Sequence, residues 1–386
     1  MTQQCSKSFN LCQLYSEQPH TGHLCFFDPD GGPAIQRTDV VKYQNILKLN
    51  QKMLGFFWRP EEINLNRDVI DFSRLSDKEQ KIFTETLLRA TMLDSVQGRS
   101  PSMTLLPIVS LPEVEAAITT WDFFEGSIHS ASYMYIIKAI YTNPDNVFNQ
   151  LKDITEIVDC AKSISFYYDE LHKLNVLRDA VSIGAVDQSV YNEYEHKKAL
   201  WNVLISINGL ESIRFYAAFA TFFSFNESDM MIGSGRILSM IARDESLHTS
   251  LTSMLINILP KEDPDFAKIA AESIETMSSI YMDILNQELE WVRYIFADGG
   301  MLGLNEEILS EYVKYRAATA MTKFGVPSSV IATINAPKAN PIPWINSYLD
   351  QGSDVQLAPQ EVELTNYIVG GTKMDDISID DLGFEL

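Results

Sequence analysis

At 386 residues, with 46% of them hydrophobic and a formal net charge of -22, the chain is long enough for one large domain or two average ones and has ample material for a buried core. The acidic excess argues against gripping nucleic acid or an anionic membrane, where Lys and Arg would have to dominate one face. The four cysteines, Cys5, Cys12, Cys25 and Cys160, show no CxxC spacing, the start has no apolar h-region and no uncharged apolar run of about twenty residues occurs, so a soluble cytoplasmic protein with reduced thiols is expected.

Residues 1–39 read as an irregular N-terminal segment, broken by Pro19, Pro29, Gly31, Gly32 and Pro33. From Val40 to Phe57 apolar residues recur at helical spacing, and the run stops at Arg59-Pro60, because the residue before a proline disfavours the helical region. Ser76 to Asp94 opens on Ser76-Asp-Lys-Glu79, a capping-box pattern. Further helices are expected over Glu113–Tyr141, Val147–Leu174, Gln188–Phe225, Ser234–Leu259, Phe266–Ala297 and Glu306–Lys323. Strand signals are sparse and no Pro/Gly/Ser-rich linker divides the chain, so the fold class is all-α, with one helical domain over 40–345. Residues 346–386 are rich in Gln, Asp and Glu with scattered apolar side chains, and are expected to form a flexible tail that folds on a partner.

Two of these helices carry a Glu and a His about one turn apart: Glu125-Gly-Ser-Ile-His129, with Tyr133 following, and Glu245-Ser-Leu-His248. Side chains at that spacing share a helix face, so each pair is half of a metal site. Helix bundles that hold two metal ions add one carboxylate from each of two other helices, for which Asp94 and Glu211 are the candidates. Spacing alone does not select these residues, since Asp169-Glu-Leu-His172 and Glu193-Tyr-Glu-His196 repeat it. Glu195, Lys197 and Lys198 give the latter the look of a solvated face, whereas Glu211 and His248 lie among large apolar residues, where carboxylates are rarely buried unless paired or coordinating metal. The alternative there is a buried salt bridge to Arg214 or Arg243.

Leu93-Asp94-Ser-Val-Gln-Gly-Arg-Ser-Pro101, Ser-Ile-His129-Ser-Ala-Ser-Tyr133, Leu-Glu211-Ser-Ile-Arg-Phe-Tyr216 and Ile241-Ala-Arg-Asp-Glu245-Ser-Leu-His248 together resemble the small, radical-generating subunit of class I ribonucleotide reductase. So do Phe56-Phe57-Trp58-Arg-Pro-Glu-Glu62, Asn340-Pro-Ile-Pro-Trp-Ile-Asn346 and Ala358-Pro-Gln-Glu-Val-Glu363, and the likeness runs from about residue 40 to the C-terminus. The resemblance implies a ferritin-like helical bundle, a homodimer, with a di-iron-oxo centre that oxidises a nearby tyrosine to a stable radical. It implies Asp94, Glu125, His129, Glu211, Glu245 and His248 as ligands of two iron ions per chain, with manganese accepted by the same donors, and Tyr133 as the radical site. Phe215, Phe219 and Ile241 would line the radical pocket. The implied electron path runs through His129, Asp244 and Trp58 to Tyr367, with Glu361 also needed for transfer. The tail would dock on the large subunit, where ribonucleotides are reduced to deoxyribonucleotides.

One departure stands out. The family pattern has two residues between the first Glu and its His, whereas Gly126, Ser127 and Ile128 make three here. Counting from Trp121 puts Glu125 at the ligand position, and counting back from His129 puts Gly126 there; Asp122 is a third candidate one turn earlier. An inserted residue commonly appears as a single π-type turn, and a Gly/Ser pair is a place for a helix to distort, so a widened turn at Gly126 and Ser127 is expected. A ferritin-like oxygenase or desaturase and a metal-storage relative are the rival readings.

Overall fold

The computed structural model describes residues 22–29 and 35–349. Tyr367, Glu361, Cys5, Cys12 and nearly all of the expected tail lie outside the described residues. Among the described residues there is no strand, only two isolated β-bridges, Phe26 with Val109 and Met301 with Leu304. No described helix is long and apolar enough to cross a membrane.

Helix α1 (Gln44–Gly55) is preceded by Lys42 and Tyr43, whose backbone N–H groups donate to Glu113 Oε1 at 3.0 and 2.9 Å. Helix α2 (Asn66–Arg74), which periodicity did not single out, is followed by α3 (Asp77–Gln97), whose Ser76 and Glu79 form the expected capping box. The expected helix 113–141 appears as α4 (Pro112–Phe123), a π turn (Phe124–His129) and α5 (Ser130–Ile140) in unbroken succession.

Later expectations need correction at their breaks. Val147–Leu174 is two helices, Pro144–Leu151 and α6 (Thr155–Ser182). Gln188–Phe225 begins with a 3₁₀ turn and restarts where Asn192 caps α7 (Glu193–Gly209), which passes through a second π turn (Leu210–Arg214) into α8 (Phe215–Glu227). Phe266–Ala297 divides at Ser273 into α10 (Pro264–Glu272) and α11 (Ile274–Ile295), after α9 (Ile232–Glu262). Glu306–Lys323 is α12 as expected. At the α7 restart the Asn192 side chain accepts from Tyr194 and Glu195 N–H and outweighs apolar spacing, whereas α6 and α11 restart without a side-chain cap.

Within the bundle α3 packs on α8 and α6, α7 on α9 and α11, and α8 on α9. The start of α9 is pinned by α2: Asp68 accepts the N–H groups of Gly233 and Ser234 at 2.9 and 2.6 Å, and Asp71 that of Met231 at 3.2 Å. An acidic side chain there satisfies orphan donors and complements the helix dipole. Residues 22–29 form no helix, yet they are not peripheral. Cys25 and Phe26 are buried, and Cys25 N–H donates to Glu262 Oε1 at 2.7 Å while its carbonyl accepts from Ser110 N–H at 2.8 Å.

Candidate metal centre

Four helical stretches aim carboxylates and imidazoles at one buried place: Asp94 near the end of α3, Glu125 and His129 in the first π turn, Glu211 in the second, and Glu245 and His248 on α9. All are essentially without solvent exposure. Their ligand atoms fall into two groups, Asp94, Glu125, His129 and Glu245, and Glu125, Glu211, Glu245 and His248, with all atoms of a group within 4.8 Å of one another. His129 Nδ1 lies 3.3 Å from both Glu125 Oε2 and Glu245 Oε1 and 3.6 Å from Asp94 Oδ2. His248 Nδ1 lies 3.0 Å from Glu125 Oε1 and 2.8 Å from Glu245 Oε2. Glu125 and Glu245 therefore belong to both groups.

The widened turn expected at the insertion is present, and it brings Glu125 rather than Gly126 or Asp122 into the cluster. Gly126 meets Gly98 backbone to backbone: a Cβ on Gly126 would sit 2.9 Å from the Gly98 carbonyl oxygen, and one on Gly98 would sit 2.7 Å from Gly126 Cα. Gly98 N–H in turn donates to Asp94 O at 2.7 Å. Two glycines thus let the extra residue bulge against the turn that carries Asp94. The second π turn, at Glu211, has no counterpart in spacing arguments and was not anticipated.

Charge decides what the cluster can hold. Burial, then the charge of Glu125, pushes Asp94 well above the usual carboxylate range; burial and Glu245 do the same to Glu211. Glu245 is pushed up to about 8 by burial and by Glu125. For Glu125 burial works upward too, but hydrogen bonds from His129 and His248 outweigh it and hold it low. For His129 burial works downward and is overcome by hydrogen bonds to Asp244, Glu125 and Glu245, which raise it. Asp94, Glu211 and Glu245 are buried with little to compensate them: Glu211 Oε2 accepts no hydrogen bond, and His129 Nδ1 comes no nearer than 3.3 Å to Glu245 Oε1 and 3.6 Å to Asp94 Oδ2. Buried carboxylates left this way are costly unless cations compensate them, and two divalent ions balance the four carboxylates. The hard oxygen and imidazole donor set fits a divalent transition metal and lacks the thiolates of an iron–sulfur site. The salt-bridge alternative fails: Arg214 Nη1 pairs with Glu288 at 3.2 Å, and Arg243 Nη2 donates to the Phe56 carbonyl at 2.9 Å.

Around the cluster, Asp244 Oδ2 accepts from Trp58 Nε1 at 2.8 Å and faces His129 Nε2 at 3.2 Å, a continuous buried line that leaves His129 Nδ1 for the centre. Tyr133 is fully buried, and burial, then the charges of Asp94 and Glu245 and a hydrogen bond to Asp94, pushes the phenol up. Phe215, Phe219 and Ile241 are wholly buried. Tyr135 points away, donating to the Ile63 carbonyl at 2.9 Å. His196 requires a correction, because it is buried rather than on a solvated face. Its Nε2 lies 2.8 Å from Asn175 Oδ1 and its Nδ1 3.1 Å from Tyr191 Oη, and burial lowers it to about 3. Sequence reasoning passed over Gln97, Trp121 and Tyr168 as participants. Trp121 Nε1 donates to Glu125 Oε1 at 3.0 Å, Gln97 Nε2 to Glu211 Oε1 at 2.5 Å, and Tyr168 Oη to Gln97 Oε1 at 2.7 Å. Helical spacing could have found the first two: Gln97 is three residues from Asp94 and Trp121 four from Glu125.

Comparison with known proteins gives a consistent result. Residues 38–330 match the family model described as "Ribonucleotide reductase, small chain". A ribonucleoside-diphosphate reductase subunit beta of Buchnera aphidicola subsp. Baizongia pistaciae is 42% identical over 357 residues, covering 91% of this chain and 92% of the relative. One from Haemophilus influenzae is 41% identical, covering 90% and 93%. In overall fold the chain is similar to the ribonucleotide reductase R2 subunit from Clostridium botulinum, with a TM-score of 0.68 at 23% identity, over 87% of this chain and 98% of that one.

Proposed function

Because this chain belongs to the ribonucleotide reductase small-chain family, we propose that its buried cluster holds two iron ions and that Tyr133 is the side chain oxidised to a radical beside them. The fold is a ferritin-like all-α bundle, and the role is that of the small subunit of ribonucleoside-diphosphate reductase, an oxidoreductase that works with a large subunit.

The observation that carries the metal reading is the sharing of Glu125 and Glu245 between two ligand groups. Asp94 and His129 would complete one site, Glu211 and His248 the other, with the shared pair spanning both. Iron bound there supplies oxygen activation and the oxidising power to take one electron from a phenol; manganese suits the same donors. The protein's own part is to place and shield. Asp94, whose charge bears most strongly on Tyr133, is the proposed acceptor for the phenol proton when Tyr133 is oxidised. Phe215, Phe219 and Ile241 keep water and reductants from the oxidised ring. Asp244 orients His129 and joins it to Trp58, the proposed first steps of a path toward Tyr367 and Glu361 in the tail.

The proposed organisation is an N-terminal segment (1–39), a helical domain (40–345) and a tail (346–386) that docks on the large subunit, with two copies of the chain forming a homodimer. The proposed setting is the cytoplasm, where the buried free thiols of Cys25 and Cys160 stay reduced. A rival oxygenase or desaturase would need neither the Trp58 line nor Tyr133. Anaerobic Fe(II) loading followed by oxygen, watched by absorption and EPR, tests the reading. A tyrosyl signal that vanishes in Tyr133→Phe is expected, and the same signal persisting in that variant would move the radical elsewhere.

A further inference from the structure

Two carboxylates of the centre, Glu125 and Glu211, lie in π turns and take a neutral N–H on Oε1, but for Glu211 that donor comes from another helix and no imidazole donates to its second oxygen. Its backbone lies in a π turn, where the ordinary i to i+4 ladder that fixes a Cα position is interrupted. Both oxygens are buried, yet Oε1 receives Gln97 Nε2–H at 2.5 Å whereas Oε2 has no partner. Gln97 belongs to α3, one turn beyond Asp94, and its amide oxygen accepts the hydroxyl of Tyr168 from α6 at 2.7 Å. All three side chains are buried.

The direction of each bond matters. A primary amide can present either its N–H or its oxygen to a carboxylate, and only the N–H face is attractive. By donating to the amide oxygen, Tyr168 selects that face. The donor is also neutral: an Arg or Lys in its place would cancel the charge that makes the carboxylate a metal ligand, whereas an amide restrains one oxygen and leaves the anion intact.

We propose that Gln97, oriented by Tyr168, is a positioning residue that ties one oxygen of Glu211 and so presents the other to the metal ion shared with His248. The proposal rests on the two-metal reading above and adds to it an asymmetry: only one of the two sites depends on this strut. Outer partners of metal ligands are typically worth about 10–100-fold in affinity, which sets the expected size.

The test is Mn(II) titration of the purified full-length chain under anaerobic conditions, with free Mn(II) counted by its EPR signal. The wild-type chain is expected to take up two ions. Gln97→Leu should weaken one of them by about 10–100-fold and leave the other at wild-type affinity. Tyr168→Phe, which removes a single oxygen atom, should weaken the same ion by less. In a His248→Ala background, where that ion is already lost, adding Gln97→Leu should not change the affinity of the remaining one. Parallel weakening of both ions in Tyr168→Phe would mark the pair as ordinary packing and overturn the proposal. Unchanged binding in both variants would do the same, and failure of the wild-type chain to take two ions would overturn the centre and this proposal with it.

Discussion

Two buried places in this molecule contain a histidine that follows a carboxylate at helical spacing, and they are built on opposite principles. At His196 both ring nitrogens face neutral groups, Asn175 and Tyr191, and the imidazole is held uncharged. At His129 and His248 every close partner on the Nδ1 side is a carboxylate, and Glu211 Oε2 has no hydrogen-bond partner. The first place is complete as it stands. The second is complete only with cations, because buried charges persist only when compensated. Spacing within a helix is the same in both; what differs is what the neighbouring helices bring to meet it.

The comparison can be broken most decisively by substitution. Glu245→Ala, which removes a carboxylate common to both groups, should lower affinity for metal by more than the roughly 10–100-fold that outer partners contribute, whereas His196→Gln should leave metal uptake unchanged. Isothermal titration with Mn(II) or Fe(II) under anaerobic conditions reads both. A next effect concerns transfer rather than binding. Trp58→Phe should keep metal content and radical yield but lose turnover with the large subunit, since its hydrogen bond to Asp244 joins the centre to the path outward. Deleting Asp380 to Leu386 should have the same split outcome if the tail docks as proposed.

A smaller effect is expected at the widened turn. Gly126→Ala places a methyl group 2.9 Å from the Gly98 carbonyl, so the bulge must shift against the turn holding Asp94. Overpacking of this kind costs about 1–3 kcal/mol, to be read as a lowered chemical-denaturation midpoint. The pH dependence of the metal-free protein sharpens the contrast further. Glu245, raised by burial to about 8, keeps its proton where the unfolded chain has lost it, so its contribution is present below the ordinary value of 4.5 and fades as pH rises toward 8. His196, lowered by burial to about 3, contributes above 6.5 and loses that contribution as pH falls. In His196→Gln the acid-side slope of unfolding free energy should flatten by about 1.4 kcal/mol per pH unit, measured by urea titration between those values.

The bundle was legible in the sequence because apolar spacing and caps are local: Ser76 with Glu79 and the bounds of Glu306–Lys323 could be read directly. The six cluster residues were also legible, through two Glu/His pairs, a two-metal bundle pattern that nominated Asp94 and Glu211, and a resemblance that implied the same set. What spacing could not convey was how one extra residue would be absorbed, since that depends on Gly98 lying against Gly126 from a different helix. Nor could it reveal the second π turn at Glu211 or the Gln97–Tyr168 strut, which exist only once α3, α6 and α7 have packed. His196 was misread for the same reason, because charged neighbours in the chain do not say which side of a helix faces the core.

The most direct test of the central claim is anomalous diffraction from crystals of the protein grown anaerobically with Mn(II). Two anomalous peaks per chain are expected, both in contact with Glu125 and Glu245, with the Phe124–His129 turn widened as it is here. A single peak, or a regular helix with the Glu125 carboxylate turned away from the metal, would contradict it.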